Sequence, residues 1–281
     1  MSPVAVVTDS TAYLPEGVAA REGIGVVPLH VVLGRRTGVE GRQVSPADVA
    51  AALSERRVEV STSRPTPAEL VQAYRDSGSD RVVSVHLSAA LSGTHDAAVL
   101  AAREVAQEGV EVRVVDSGSI AMGLGFAVLA AAARAAAGGD LDEVEQAARD
   151  TAARTSCLFY VDTLEHLRRG GRIGAASALL GTALAVKPLL HVVDGRIAPR
   201  EKVRTSARAL SRLVELAVEA AGDGPVDVAV HHLAAAERAA TLAEQLRERL
   251  PELGVLHVSE VGAVVGAHVG PGALAVVVSR R

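Results

Sequence analysis

Short β-branched runs alternate along this chain with longer stretches whose apolar residues recur at helical spacing. Val4–Thr8 is a continuous apolar run ending at Asp9-Ser10, the pattern of a buried parallel strand feeding a turn. Gly25–Leu33 predicts a second strand, Val58–Ser61 a short one, and Arg81–His86 and Val110–Val115 two more. Helix starts fall between them. Ser45-Pro46-Ala47-Asp48 has serine as N-cap and proline in the first turn. Thr66-Pro67-Ala68-Glu69 repeats the device with a capping-box glutamate. Further helices are expected from about Ser92 to Gln107, after Asp116-Ser117-Gly118, and over Asp140–Arg154. This βα repetition predicts a mostly parallel sheet with helices on both faces.

The texture changes after Arg154. Ser156–Val161 reads as a strand and Asp162–Arg168 as a short helix. Pro188–Val193 and Arg196–Pro199 flank Asp194-Gly195, a strong hairpin signal. Helices over Thr205–Ala221 and Ala234–Leu250 alternate with strands at Val226–His231, Val255–Ser259 and Ala273–Ser279. A hairpin beside βα units implies a mixed sheet. The expected architecture is therefore two α/β domains: residues 1–154 as a three-layer, mostly parallel sheet domain, and residues 155–281 with a mixed sheet.

Composition narrows the function. Hydrophobic residues make up 49% of the 281, enough for a large core, and the net charge of −4 lacks the basic excess of a nucleic-acid binder. With no Trp, two Phe and three Tyr, little is available for base stacking. Cys157 is the only cysteine, so an intrachain disulfide and cysteine metal clusters are excluded; it lies in an apolar run that predicts a buried, inert thiol. Met1-Ser2-Pro3 runs straight into the first strand, and Ile120–Ala137, the most membrane-like stretch, is broken by Gly123, Gly125 and Arg134. Neither a signal peptide nor an integral membrane segment is expected, and the expected location is cytoplasmic.

Several tempting motifs fail on chemistry. Gly123-Leu124-Gly125 has Val128 where a dinucleotide fingerprint needs its third glycine, so close helix packing is the better reading. Gly170-Gly171-Arg172-Ile173-Gly174 lacks the Lys-Ser/Thr ending of a P-loop. Ser92, His95 and Asp96 cannot form a triad from adjacent helical positions, because the acid must sit behind the imidazole. His231 and His232 point to opposite faces of a strand and cannot chelate together. What survives is a set of hydroxyls and one imidazole at turns near strand ends: Ser61-Thr62-Ser63-Arg64-Pro65, Leu91-Ser92-Gly93-Thr94, and His268 within Gly266-Ala267-His268-Val269-Gly270-Pro271-Gly272. Such donors suit a small anionic oxygen ligand, although the same hydroxyls could simply satisfy turns and caps.

In this order the stretches resemble the DegV family along nearly the whole chain. The resemblance runs from Thr8-Asp9-Ser10 through the two hydroxyl loops and Val115-Asp116-Ser117. It continues through Asp162-Thr163-Leu164-Glu165-His166-Leu167-Arg168-Arg169-Gly170-Gly171-Arg172-Ile173, Lys187-Pro188-Leu189-Leu190 and Lys202-Val203-Arg204-Thr205, and ends at His268-Val269-Gly270-Pro271-Gly272. It implies two α/β domains with a long-chain fatty acid between them, and no cofactor. It also implies a carrier rather than an enzyme: the bound carboxylate is presented to a separate fatty-acid kinase, and the acyl phosphate is carried onward for phospholipid synthesis.

By that resemblance Thr62 and Ser92 fall where the family binds the carboxylate, and Arg172 and His268 match residues near the head group. With their hydroxyl neighbours the candidate ligand-binding set is Thr62, Ser63, Ser92, Gly93, Thr94, Arg172 and His268. Arg200, Lys202 and Arg204, with Arg168 and Arg169, form a local basic concentration on an acidic chain and are the candidate partner-docking residues. Arg64 and Glu40 depart from the family pattern, which usually has Gln and Asp there; the second departure is expected to matter only to a turn. Two other classes stay open: an enzyme on a small anionic metabolite with His268 as base, and a lipid-responsive regulatory module.

Overall fold

A computed structural model describes residues 3–55, 58–179 and 187–281. In chain order its strands are β1 Ala5–Asp9, β2 Ile24–Val27, β3 His30–Leu33, β4 Arg36–Val39, β5 Val60–Ser63, β6 Arg81–His86, β7 Glu111–Asp116, β8 Thr155–Tyr160, β9 Lys187–Val193, β10 Arg196–Val203, β11 Val226–His232, β12 Leu253–Glu260 and β13 Leu274–Arg280. The helices are α1 Val18–Arg21, α2 Pro46–Glu55, α3 Pro67–Asp76, α4 Thr94–Ala106, α5 Met122–Ala136, α6 Leu141–Ala153, α7 Glu165–Arg169, α8 Ser206–Ala221, α9 Ala236–Arg249 and α10 Ala263–Val269. None of the described helices is long and apolar enough to cross a membrane.

Contacts divide the chain into two units: Met1–His30 with Ser63–Arg154, and Val31–Thr62 with Thr155–Arg281. This differs from the expected division into 1–154 and 155–281, because residues 31–62 join the second unit. The physical reason begins at Pro28. The apolar pattern predicts one strand over Gly25–Leu33, but proline has no N–H for a ladder. The run breaks into β2 and β3, which belong to different sheets, and the Leu29 N–H donates to Ser10 Oγ at 3.0 Å instead.

The first unit carries a parallel sheet in the order β2-β1-β6-β7. Strand alternation sorts its valines into two cores. Val6, Val83 and Val85 pack with Leu124, Val128 and Val144 of α5 and α6, whereas Val7 and Val82 pack with Leu70, Tyr74 and Val105 of α3 and α4. The glycine reading of α5 holds: a Cβ on Gly125 would lie 2.7 Å from the Ala12 carbonyl oxygen. The capping box at Thr66 forms, and Asp140 makes a second one for α6.

At the carboxyl end of β1, Asp9 is wholly buried. Its carboxylate accepts the Thr11 and Leu87 backbone N–H groups, each at 3.0 Å, and meets His86 Nδ1 at 3.0 Å. The line continues from His86 Nε2 to Ser84 Oγ at 2.7 Å and to the Tyr74 hydroxyl at 3.0 Å. It is a serine–histidine–aspartate sequence in space, but all of it is sealed from solvent. A reacting atom has no access to Ser84, so the line ties β1 to β6 and α3 rather than forming a catalytic triad.

The second unit holds a mixed sheet in the order β10-β9-β8-β13-β11-β12, antiparallel except for β11 beside β12. Helices α8 and α9 bury Leu213, Leu216, Leu242 and Leu246 against Tyr160, Val228, Val230 and Val276. The Asp194-Gly195 hairpin forms with both residues at positive φ, 48° and 72°, the type I′ requirement. Cys157 is buried in β8 and its thiol is pushed up to about 12, so it stays protonated. A smaller sheet, β4-β3-β5, precedes this part of the chain in sequence.

Candidate functional site

The last turn of α10 carries His268, where the sequence predicts only a bent loop before the final strand. A helix of seven residues with its own internal glycine leaves little periodic signal. Its stability comes from elsewhere. Glu40, 6% exposed, reaches across 224 residues of sequence to accept the Val264 backbone N–H at 2.7 Å, acting as a remote cap on the orphan donors of the first turn. The effect of Glu40 is therefore not confined to its own turn, as the sequence led us to expect. Its carboxylate holds the helix that carries His268.

Strand β5 brings Thr62 to that histidine. Thr62 Oγ1 lies 2.9 Å from His268 Nε2. Alternation along β5 leaves Thr62 half-buried and sends Ser61 and Ser63 to the exposed face, so Ser63 is not grouped with Thr62. The other ring nitrogen, Nδ1, is buried with no hydrogen-bond partner among the described residues. An orphaned buried N–H is costlier than an unused lone pair. The ring proton therefore belongs on Nε2, donating to Thr62 Oγ1. That leaves the Thr62 O–H free to donate to an anion. Burial lowers the His268 pKa to about 4, with a smaller push from the Arg172 charge, so the ring is neutral at pH 7.

Arg172 follows the glycine pair and donates from Nη1 to the Gly170 carbonyl at 2.6 Å. The second unit thus groups Thr62, His268 and Arg172. Arg168 and Arg169 of the same motif serve otherwise: both pair with Glu165, whose carboxyl they pull down to about 2. They are poorer docking candidates than their sequence suggested. Arg200, Lys202 and Arg204 are all exposed, on or just after the edge strand β10, while Glu201 between them turns to Arg212 at 2.8 Å.

In the first unit Ser92, Gly93 and Thr94 form one turn. Gly93 rather than Ser92 takes the N-cap position of α4, and no side chain caps it. Ser92 Oγ and Thr94 Oγ1 are 2.9 Å apart, and Ser92 Oγ also accepts the Thr94 N–H at 3.3 Å. Thr94 is fully buried while Ser92 is half-buried, so Ser92 is the hydroxyl that a ligand can reach. Arg64 is exposed yet turned onto this loop, donating from Nη1 to the Gly93 carbonyl at 3.3 Å. Its guanidinium lies where a Cβ on Gly93 would stand.

The rejected motifs stay rejected. His231 is buried and bonded through Nδ1 to Ser259 Oγ at 3.0 Å, and His232 faces the other way toward Glu260. His95 and Asp96 are 3.9 Å apart with Asp96 largely exposed. Among the described residues no group of three or more His, Cys, Asp or Glu side chains could hold a metal ion.

With this geometry the chain resembles a single family throughout. The model of the DegV family of uncharacterised proteins matches residues 3–281. A DegV domain-containing protein of Streptomyces coelicolor is 61% identical over 281 residues, covering 99% of each chain. Among solved structures, the one described as fatty acid binding of a DegV family protein from Thermus thermophilus superposes with a TM-score of 0.94 at 31% identity, covering 100% of both chains. DegV from Bacillus subtilis, described as a fatty acid binding protein, gives a TM-score of 0.91 at 34% identity, again covering 100% of both. From residue 3 to its last strand, this chain belongs to the DegV family.

Proposed function

We propose that this protein is a fatty-acid carrier. It binds a long-chain fatty acid, presents the carboxylate to a separate fatty-acid kinase, and carries the resulting acyl phosphate onward for phospholipid synthesis. The observation that carries the binding step is its full-length similarity to two DegV proteins described by their fatty acid binding, at 31% and 34% identity. The Thr62–His268 arrangement supports it, because a carboxylate out of water needs positioned donors or costs several kcal/mol. Each buried methylene contributes about 0.8 kcal/mol, so a long acyl chain offsets an enclosed head group.

The competing reading, an enzyme with His268 as base, needs an acceptor behind the imidazole to orient it and stabilise its charged form. His268 Nδ1 has no such partner among the described residues. The carrier reading is tested by denaturing extraction and mass spectrometry of the purified protein. One long-chain fatty acid per chain is expected. Repeated recovery of none, with no uptake on adding hexadecanoate, rules the reading out.

The docking part rests on Arg200, Lys202 and Arg204. Exposed cations on an edge strand of an acidic protein steer an acidic partner surface. Arg204→Ala with Lys202→Ala should slow phosphorylation of the bound acid by an added fatty-acid kinase about tenfold, more at low salt, and leave fatty-acid affinity intact. Unchanged kinetics at low salt would mean these side chains are only a solvated face.

A further inference from the structure

Two glycines and two histidines in the second unit are packed reciprocally. A Cβ on Gly170 would stand 2.1 Å from His268 Nδ1 and 2.7 Å from its Cε1. A Cβ on Gly270 would stand 2.1 Å from His166 Cδ2. The stretch that starts at His166 and ends at Gly170 therefore supplies the glycine against which His268 lies, and the stretch His268–Gly270 supplies the glycine against which His166 lies. No side chain other than hydrogen fits at either contact without moving an imidazole.

We propose that Gly170 is a positioning residue for the head-group site: it seats the His268 ring edge-on, keeps Nδ1 away from any partner, and thereby fixes the proton on Nε2 so that Thr62 is left as a donor. The inference rests on the carrier reading for the ligand, but its geometry does not. The space beside Nδ1 is filled by Gly170, and Arg172 Nη1 is engaged by the Gly170 carbonyl at 2.6 Å. The same glycine thus fixes both members of the site that stand on or beside it. A side chain at position 170 would push the ring from Thr62 Oγ1, 2.9 Å away on its far side, and free the tautomer.

Position 170 gives a clean test because its backbone is ordinary. Gly170 closes α7 at φ −74° and ψ −6°, which alanine adopts without strain. Any effect of Gly170→Ala must come from the space its methyl takes. The measurements are the imidazole nitrogen and carbon signals of His268 by NMR, and hexadecanoate affinity, in wild type, Gly170→Ala, His268→Ala and the double variant. Gly170→Ala is expected to move the His268 signals away from a pure Nε2–H tautomer and to weaken hexadecanoate about tenfold. In the His268→Ala background the same change should cost nothing, since the ring it obstructs is gone. If Gly170→Ala fails to fold, the double variant compared with His268→Ala still decides. Unmoved His268 signals, or an equal loss with and without His268, overturns the proposal. Failure of the wild type to bind hexadecanoate instead removes the carrier reading and leaves the NMR arm to judge the histidine seat alone.

Discussion

Removing both candidate hydroxyls, with Thr62→Ala and Ser92→Ala, is expected to weaken fatty-acid binding by about a hundredfold to ten-thousandfold while the protein stays folded. A hydrogen bond to a charged group contributes about 1.5–3 kcal/mol, so two lost bonds cost about 3–6 kcal/mol. The two residues sit in separate units, Thr62 against His268 and Ser92 in the turn before α4. The folded structure also uses each hydroxyl: Ser92 Oγ pairs with Thr94 Oγ1 at 2.9 Å, and Thr62 Oγ1 accepts from His268 Nε2 at 2.9 Å, so the double variant is expected to melt somewhat lower while remaining folded. Isothermal titration with hexadecanoate, together with thermal melts, separates the roles. Thr62→Ser, which keeps the hydroxyl, should recover most of the affinity lost in Thr62→Ala. A double variant that melts several degrees lower and binds as tightly as wild type would assign both hydroxyls to turns and caps.

Much of this fold was legible because its signals are local. The capping box at Thr66, the serine cap at Ser45 and the positive-φ pair at Asp194-Gly195 each declare an element boundary within four residues. Buried parallel strands such as β1 and β6 announce themselves as unbroken valine-rich runs. What sequence did not reveal is held together over distance. The membership of residues 31–62 in the second unit follows from contacts, not from any composition shift. Helix α10 owes its first turn to Glu40, 224 residues earlier, so its own seven residues could not declare it. The candidate site was legible as a set of residue types. Its polarity was not. Which His268 nitrogen carries the proton depends on Gly170, and which of Thr62 and Ser63 faces His268 depends on the register of a four-residue strand. Arg64 could be placed only by seeing it lie over Gly93.

Acid should destabilise this protein steeply between about pH 6.5 and pH 4, and two histidines should dominate the effect. Burial lowers the pKa of His231 to about 4, helped slightly by His232 and His257 and opposed by its bond to Ser259. Burial lowers His268 to about 4 as well, with Arg172 adding to the push. Both groups titrate near 6.5 once unfolded. A histidine with a depressed folded pKa binds its proton more tightly in the unfolded chain. Its stabilising contribution is complete above about pH 6.5 and is lost as pH falls toward 4. At 1.36 kcal/mol per unit, each contributes about 3 kcal/mol across that window. Urea unfolding at stepped pH should therefore show stability falling by about 2–3 kcal/mol per unit between pH 6 and 4.5. Substituting either ring, as in His231→Asn or His268→Asn, should lower that slope by up to one proton whatever it does to stability at pH 7, while His191, His232 and His257, whose pKa values burial also lowers, supply a smaller share. The exposed carboxylates held low by ion pairs, such as Glu165 at about 2, begin to contribute only near their unfolded value of 4.5, at the foot of this range. A slope unchanged by both substitutions would assign the acid sensitivity elsewhere. Bound ligand should act on one histidine only. A carboxylate received by Thr62 places a negative charge beside His268 and raises its pKa, so hexadecanoate should flatten the slope by up to one proton in wild type and not at all in His268→Asn.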